Sequence, residues 1–271
     1  MGSRKALFFD VDGTLFSEVW KTVPKSAVRA VEEARRLGHL AFINSGRVYC
    51  LLDTIREQVE MDGYLCGCGT YIILEGKVVY ARAIPHAQGL QIKEHLKACR
   101  VEAILEARDD CHFRRDASWM PKLERLRENI IKDGKVSPHP IEEDCYDFDK
   151  FCCYTDQDSD KERFIKGLEK DFDVIDRGDE FWECVPRGHS KSTAIQMVLD
   201  HYGLSLEDAY VFGDSTNDLS MFTYAKNAVL MGKHDKELEP YATFTTRTVE
   251  EDGIAYALKA LGIIDTVFYK G

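Results

Sequence analysis

Short apolar runs alternate with helix-like segments in the first part of the chain. Residues 6–9 form an uninterrupted apolar run, and residues 25–37 then carry apolar side chains at a helical spacing. A second apolar run at 39–44 is followed by a predicted helix at 48–57 and a third run at 63–66. Runs of this length are typical of strands buried on both faces, and their alternation with helices predicts right-handed crossovers in a parallel sheet.

The same alternation returns in the last third of the chain. After Gly188 the pattern predicts helix 190–202, strand 209–212, helix 216–224, strand 228–231 and helix 249–261. We therefore expect both ends of the chain to build one doubly wound, Rossmann-like parallel sheet of the α/β class.

The middle of the chain has a different pattern. Residues 71–74 and 78–80 are predicted to form a hairpin with Glu75-Gly76 as its turn. Further helices are predicted at 88–99 and 161–170, and further strands at 101–107, 148–155, 172–176 and 180–185. We therefore predict an α+β domain at residues 84–186, inserted into a core domain made of residues 1–83 and 187–271.

The composition is that of an ordinary globular protein and disfavours large anionic partners. The 271 residues are 44% hydrophobic and 31% charged, and the formal net charge is −11. This surplus of acidic residues argues against binding to nucleic acid or to an anionic membrane surface. A small anionic substrate remains compatible with it, provided that a local cation is present.

The cysteines and the hydropathy profile bear on the compartment. The nine cysteines are odd in number and contain no pair of CxxC motifs, so we expect free thiols in a reducing compartment. No run resembles a signal peptide or reaches the length of a membrane span. We expect a cytoplasmic protein that is a monomer or a small homo-oligomer.

Two carboxylates end the first apolar run. Asp10 and Asp12 follow it, and Gly13 and Thr14 come next. A carboxylate at the end of a buried strand costs desolvation free energy unless a partner compensates it, and a hard cation would also separate the two negative charges. The alternative is a simple Asp-Gly turn after a strand.

Three other polar features are expected at the same edge of the sheet, because ligands of open parallel sheets bind where the strands end. Ser45-Gly46-Arg47 ends the second strand, and the segment 213–218 ends a later one. Lys191 lies in the first turn of a predicted helix, where a cation opposes the helix dipole. Taken singly, these are turn residues, caps and a surface lysine. Their order along the chain is what suggests a common site.

Together the four features resemble the motifs of the haloacid dehalogenase (HAD) superfamily. The matching segments are Asp10-Val-Asp12-Gly-Thr14, Ser45-Gly-Arg47, Lys191 and Gly213-Asp214-Ser-Thr-Asn217-Asp218. The long insertion before Lys191 resembles the C2 cap of the Cof-type sugar-phosphate phosphatases in that superfamily. The resemblance spans nearly the whole chain, and the combination is far more specific than any one motif.

The resemblance implies a role for each motif residue. Asp10 would be the nucleophile that forms an aspartyl-phosphate, and Asp12 would be the general acid and base. Lys191 would neutralise charge on Asp10 and on the transferring group. Mg²⁺ would be held by Asp10, Asp214 and the backbone carbonyl of Asp12. The remaining implied residues are phosphate-binding Thr14, Ser45, Gly46, Arg47 and Asn217, and Asp218, which would orient Lys191 or the metal's water.

The implied function is magnesium-dependent hydrolysis of small phosphorylated metabolites, with sugar phosphates as the expected class. A phosphosugar mutase of the same superfamily is the alternative enzyme, and a binding or regulatory protein without turnover is the alternative outside enzymes. Two departures from the family pattern stand out. Ser45 replaces the commoner threonine, and Cys68, close to Cys66, stands where relatives carry an asparagine beside the cleft. Two buried thiols are expected there, and a metal-binding pair is the alternative.

Overall fold

The computed structural model describes residues 3–268. Its strands are β1 Ala6–Phe9, β2 Leu40–Asn44, β3 Gly63–Cys66, β4 Tyr71–Leu74, β5 Lys77–Ala81, β6 Glu102–Glu106, β7 Cys111–His112, β8 Lys150–Tyr154, β9 Phe172–Asp176, β10 Phe181–Pro186, β11 Ala209–Gly213, β12 Asn227–Leu230 and β13 Phe244–Thr245. Its helices are α1 Lys25–Arg36, α2 Asp53–Arg56, α3 His86–Ala98, α4 Pro121–Lys132, α5 Lys161–Leu168, α6 Lys191–Tyr202, α7 Leu219–Tyr224 and α8 Gly253–Ala260. None of the helices within 3–268 combines the length and apolar character needed to cross a membrane.

The first unit is built on an eight-stranded sheet with β1 near its centre. The strand order is β13-β12-β11-β1-β2-β3-β4-β5. Strand β1 pairs in parallel with β11 on one side and β2 on the other, and all four of its residues are buried. Phe9 stacks on Phe212 across the β1–β11 pair, with ring centroids 4.6 Å apart. The α/β class and the parallel core sheet predicted from the sequence are therefore confirmed.

The hairpin β4–β5 extends this sheet. Strand β4 runs antiparallel to β3, so the parallel core acquires an antiparallel edge. Its turn residues Glu75 and Gly76 both have positive φ, 50° and 75°, as a two-residue hairpin turn of type I′ requires. The sequence pattern predicted the hairpin but not that it joins the core sheet. It also missed β13, which at two residues is too short to produce a recognisable pattern.

The second unit contains a five-stranded antiparallel sheet. Its strand order is β7-β6-β8-β10-β9. Helices α3 and α5 contribute Leu96 and Phe164 to an apolar cluster with Phe151 of β8. Helix α4 contributes Leu123 and Ile130 to a separate apolar cluster. The sequence pattern did not assign α4, because only these two of its twelve residues are buried.

The two compact units have limits that differ somewhat from the predicted domains. The first comprises residues up to 47, 52–79 and from 190 onwards, and the second comprises 48–51 and 80–189. The predicted boundaries were 83/84 and 186/187. Val48 and Cys50 lie in the apolar cluster of α4, and the Cys50 N–H donates to the Arg108 carbonyl oxygen over 3.0 Å. The chain at 49–56 forms a short 3₁₀ helix followed by α2 instead of one helix over 48–57.

The two ends of the long segment 80–189 lie side by side. The Tyr80 hydroxyl is hydrogen-bonded to His189 Nε2 at 2.8 Å. His189 Nδ1 is 3.1 Å from the Pro186 carbonyl oxygen, which fixes its ring. The second unit is therefore closed at the point where the chain enters and leaves it.

Candidate active site

Asp10 is placed by the end of β1. Its backbone N–H donates to the Phe212 carbonyl oxygen over 3.0 Å, which continues the pairing with β11 by one residue. The chain then leaves the sheet, because the N–H groups of Leu15 and Phe16 both turn back to the Val11 carbonyl oxygen. Gly13 supplies the positive φ of 77° in this turn. Asp10 is left buried at the sheet edge, with 4% of its surface exposed.

Lys191 compensates the charge of Asp10. It is the first residue of α6, whose N-cap Ser190 and Thr193 form a reciprocal capping box. Only 1% of Lys191 is exposed, so it is not a surface lysine. Its Nζ lies 2.6 Å from Asp10 Oδ1 and 2.5 Å from Asp218 Oδ1. Burial alone would lower the pKa of Lys191, but attraction to these two carboxylates outweighs it and raises the pKa above its ordinary range.

The loop after β11 supplies the other two carboxylates. Asp218 Oδ2 accepts hydrogen bonds from the backbone N–H groups of Asp214 at 2.9 Å and Ser215 at 3.2 Å. Gly213 has to be glycine here, because a Cβ would lie 2.5 Å from Asp218 Oδ2. Asp218 is fully buried, and its contacts shape the loop and hold the Lys191 ammonium.

The carboxylates of Asp10, Asp214 and Asp218 form one cluster. A ligand oxygen from each lies within 4.8 Å of the others. Burial, followed by repulsion from Asp10 and Asp218, raises the pKa of Asp214 to about 8. Burial and repulsion from Asp218 also raise the pKa of Asp10 above its ordinary value, although Lys191 opposes them. One lysine is thus too little positive charge for two buried carboxylates and a third that is partly exposed, and oxygen ligands of this kind fit a hard divalent cation.

Asp12 is not part of that cluster but pairs with Arg47. Arg47 Nη2 lies 2.6 Å from Asp12 Oδ1 and its Nε donates to Oδ2 over 2.9 Å, which is a bidentate ion pair. Burial opposes the charge of Arg47, but attraction to Asp12 outweighs it and raises the pKa of Arg47. The family resemblance implied a phosphate contact for Arg47, and its pairing with the Asp12 side chain was not anticipated. The predicted metal contact of Asp12 concerns its backbone carbonyl and stays a prediction.

The structure places the remaining predicted residues around these groups. Thr14 Oγ1 donates to Asp214 Oδ1 over 2.8 Å, so it orients that carboxylate. Asn217 Oδ1 lies 3.4 Å from Lys191 Nζ. Ser45 is buried at the end of β2, and its Oγ accepts from the N–H of Arg47 at 3.2 Å across the partly exposed Gly46. Contacts of these residues with a phosphoryl group remain predictions.

Two residues that shape the site were missed. Asn44, fully buried at the last position of β2, donates from Nδ2 to the Lys191 carbonyl oxygen over 3.0 Å and so fixes the start of α6. Asp235 Oδ2 accepts from the Thr216 N–H at 2.9 Å, and its own N–H donates to the Asp214 carbonyl oxygen. A polar residue ending an otherwise apolar strand was the available signal for Asn44. The sequence offered no comparable signal for Asp235.

The cysteines near the site are buried thiols. Cys66 ends β3 with no exposed surface, and Cys68 is 3% exposed. Cys68 has a positive φ of 55°, and its N–H donates to the Ser45 carbonyl oxygen over 3.0 Å. Its backbone therefore braces the loop that carries Ser45.

Comparison with known proteins gives consistent matches over the chain. The family model described as haloacid dehalogenase-like hydrolase matches residues 7–258. YkrA, a candidate phosphatase of Bacillus subtilis, is 28% identical over 96% of this chain and 98% of its own length. The 5-amino-6-(5-phospho-D-ribitylamino)uracil phosphatase YitU of the same organism is 28% identical over 92% and 94%.

The solved structures include a similar protein of defined subclass. The HAD subclass IIB sugar phosphatase BT4131 superposes with a TM-score of 0.82 at 26% identity, covering 96% of this chain and 100% of that one. Both the core and the antiparallel second unit therefore have counterparts in a sugar phosphatase structure.

Proposed function

The chain belongs to the haloacid dehalogenase-like hydrolases and is a phosphatase, and from this premise we propose its reaction. It is a magnesium-dependent phosphomonoester hydrolase that acts through an aspartyl-phosphate. Its substrates are phosphorylated sugars or similar small metabolites. The observation that carries the proposal is the buried Lys191 ammonium, which bridges Asp10 and Asp218 inside a cluster of three carboxylates. A purely structural ion pair would not need a third carboxylate, that of the partly exposed Asp214, at the same place.

In the first half-reaction, Asp10 attacks phosphorus. A carboxylate oxygen of Asp10 forms the new bond to phosphorus, and the bond from phosphorus to the ester oxygen breaks. Asp12 gives its proton to the departing alkoxide, so that the product leaves as a neutral alcohol. Lys191 holds Asp10 Oδ1 at 2.6 Å, which fixes the direction of attack and offsets negative charge near the transferring group.

In the second half-reaction, water replaces Asp10 on phosphorus. Asp12, now ionised, takes a proton from the water, whose oxygen attacks the acyl phosphate, and the bond between Asp10 and phosphorus breaks to release inorganic phosphate. The bidentate bond from Arg47 suits this ionised form of Asp12, because both carboxylate oxygens accept. In the first half-reaction one Asp12 oxygen carries a proton, so Arg47 must release one of its two bonds.

The acidic cluster fits Mg²⁺. Asp10 and Asp214 would hold the ion with the backbone carbonyl of Asp12, and Thr14 would keep the Asp214 carboxylate oriented. When bound, the ion would offset the repulsion between the anionic nucleophile and the anionic phosphoryl group. Asp218, already occupied by Lys191 and two backbone N–H groups, is better suited to support Lys191 than to bind the ion directly.

The substrate class is supported by the names of two relatives. BT4131 is named a sugar phosphatase, and the YitU substrate carries its phosphate on a ribityl chain. Both have a phosphate ester on a polyhydroxylated carbon chain. We propose that the present protein also acts on a phosphorylated polyol or sugar.

The test is phosphate release by the purified full chain from an aryl phosphate and from a panel of sugar and polyol phosphates, with and without Mg²⁺. We expect Mg²⁺-dependent release that Asp10→Asn abolishes. Asp208→Asn is the matched control, because Asp208 pairs with Lys5 through an ordinary salt bridge. Full activity in Asp10→Asn would refute the mechanism. Conversion of a sugar monophosphate into an isomer without free phosphate would instead identify the mutase, and no turnover of any ester would favour a binding protein.

A further inference from the structure

A loop of the second unit gathers three different metal-binding side chains. His139 Nδ1 lies 2.9 Å from Glu143 Oε2 and 3.3 Å from Cys145 Sγ. The three donor atoms all lie within 4.8 Å of one another, and His139 and Cys145 are exposed while Glu143 is partly exposed. Neither the phosphatase reaction nor the fold of the second unit requires a nitrogen, a sulfur and an oxygen donor to converge here.

The spacing of the donors is close to that of a tetrahedral metal centre. Bond lengths of about 2.0–2.3 Å from Zn²⁺ to nitrogen, oxygen and sulfur place neighbouring ligands about 3.3–3.6 Å apart. The two observed distances from His139 Nδ1 are shorter by a few tenths of an ångström, so a small outward movement of side chains would accommodate the ion. Water can occupy the fourth position, because the cluster opens to solvent.

Neighbouring groups hold two of the three ligands in place. Arg115 Nη2 donates to Glu143 Oε1 over 3.0 Å and leaves Oε2 directed at His139. The backbone carbonyl of His139 lies 2.8 Å from Nδ1 of the buried His112. The bond from Arg115 is an outer contact to a ligating carboxylate, of the kind that orients metal ligands, whereas His112 only fixes the backbone at His139.

We propose that His139, Glu143 and Cys145 form a binding site for a borderline divalent cation such as Zn²⁺ or Co²⁺, separate in chemistry from the all-carboxylate cluster. Thiolate and imidazole ligands select such ions over Mg²⁺, which prefers oxygen alone. On binding, the Cys145 thiol releases its proton to solvent, and the thiolate and the neutral His139 nitrogen each donate an electron pair to the ion. The site would tie together the loop from 139 to 145.

The experiment is metal titration of the chelator-treated full chain in excess Mg²⁺, which would compete with Zn²⁺ and Co²⁺ for the carboxylate cluster. Zn²⁺ affinity is measured by competition with a chromophoric chelator, and Co²⁺ is followed by its thiolate charge-transfer band in the near ultraviolet. We expect the unaltered protein to have one Zn²⁺ site that also gives the Co²⁺ thiolate band, and we expect Zn²⁺ to raise its Tm. Cys145→Ser and His139→Asn should each weaken Zn²⁺ binding by more than about tenfold, since outer-shell partners alone are worth about 10–100-fold.

His86→Asn is the matched control. His86 pairs with Asp147 at 2.8 Å on the same unit, without a thiol in the pair. This variant should keep the Zn²⁺ affinity, the Co²⁺ band and the Zn²⁺-induced rise in Tm. The proposal is overturned if the unaltered protein shows no such site, or if Cys145→Ser and His139→Asn bind Zn²⁺ as tightly as the unaltered protein. Because none of these readouts is phosphatase activity, their outcome is independent of the proposed function.

Discussion

Replacing Asp214 by asparagine should stabilise the metal-free protein. Asp214 is surrounded by Asp10 and Asp218, and burial together with this repulsion raises its pKa to about 8 from an ordinary value of 3.8. The asparagine in Asp214→Asn would keep an oxygen for the hydrogen bond from Thr14, because that bond is accepted by a single carboxylate oxygen. The variant therefore removes the repulsion without removing the contact.

The sign and size of the expected change in stability follow from the raised pKa of Asp214. Below 3.8 the folded and unfolded states both hold the proton, and between 3.8 and about 8 the folded state holds a proton that the unfolded chain has lost. The free energy of unfolding therefore falls as the pH rises through this window. At about 1.4 kcal/mol per pH unit, the penalty near pH 7 has an upper bound of about 4 kcal/mol. Because the three carboxylates titrate together, we expect relief of about 2 kcal/mol, or a rise in Tm of about 4–8 °C.

The assay is thermal unfolding in chelator and in millimolar Mg²⁺ at several pH values. In chelator, the excess Tm of Asp214→Asn over the unaltered protein should grow from about pH 5 to about pH 8. In Mg²⁺ at high pH, the unaltered protein should have the higher Tm of the two, because only its site binds the ion well. Asp208→Asn is the control of opposite sign, since hydrogen bonds from Ser205 and Lys5 lower the pKa of Asp208 to about 2. A metal-free Asp214→Asn that is no more stable at about pH 8 would refute the reasoning.

Three further variants test other parts of the site. Lys191→Met leaves two buried carboxylates without their cation and should lower the free energy of unfolding by about 3–5 kcal/mol, measured by urea denaturation. A decrease in this free energy of less than about 1 kcal/mol would contradict the buried ion pair. In Arg47→Lys, the lysine cannot donate to both Asp12 oxygens as the planar guanidinium does, so kcat should fall by about tenfold or more with little change in Tm. An unchanged kcat would show that Arg47 does not position Asp12. Gly13→Ala would place a Cβ 2.4 Å from Asp214 Oδ2 at a backbone φ of 77°. It should therefore weaken Mg²⁺ binding, measured by calorimetry, and lower the Tm. Normal Mg²⁺ affinity in this variant would exclude such close packing.

The sequence was most informative where a local rule was broken. Short, uninterrupted apolar strands alternating with helices were enough to predict the α/β core, because parallel strands buried on both faces leave few other solutions. Lys191 at a helix N-terminus opposed the dipole, and the structure shows the reason: it is buried between Asp10 and Asp218.

Other features could not be predicted because they depend on contacts between distant segments. The pairing of Arg47 with the Asp12 side chain has no local pattern. Helix α4 carries too few buried positions to show a helical period clearly. The donors His139, Glu143 and Cys145 lie in a loop, where no periodicity indicates which side chains converge.

The Tyr80–His189 contact bears on the order in which a newly synthesised chain acquires its structure. Strand β1 emerges from the ribosome before its neighbour β11, and the whole segment 80–189 is made between them. Closing an unfolded loop of that length costs more entropy than closing a short one. Once 80–189 has folded with its two ends side by side, the remaining loop is much shorter and β11 can reach β1 at lower cost. The inserted unit would thus favour the pairing of β1 with β11, and the charged cluster around Asp10 would be completed only once that pairing has formed.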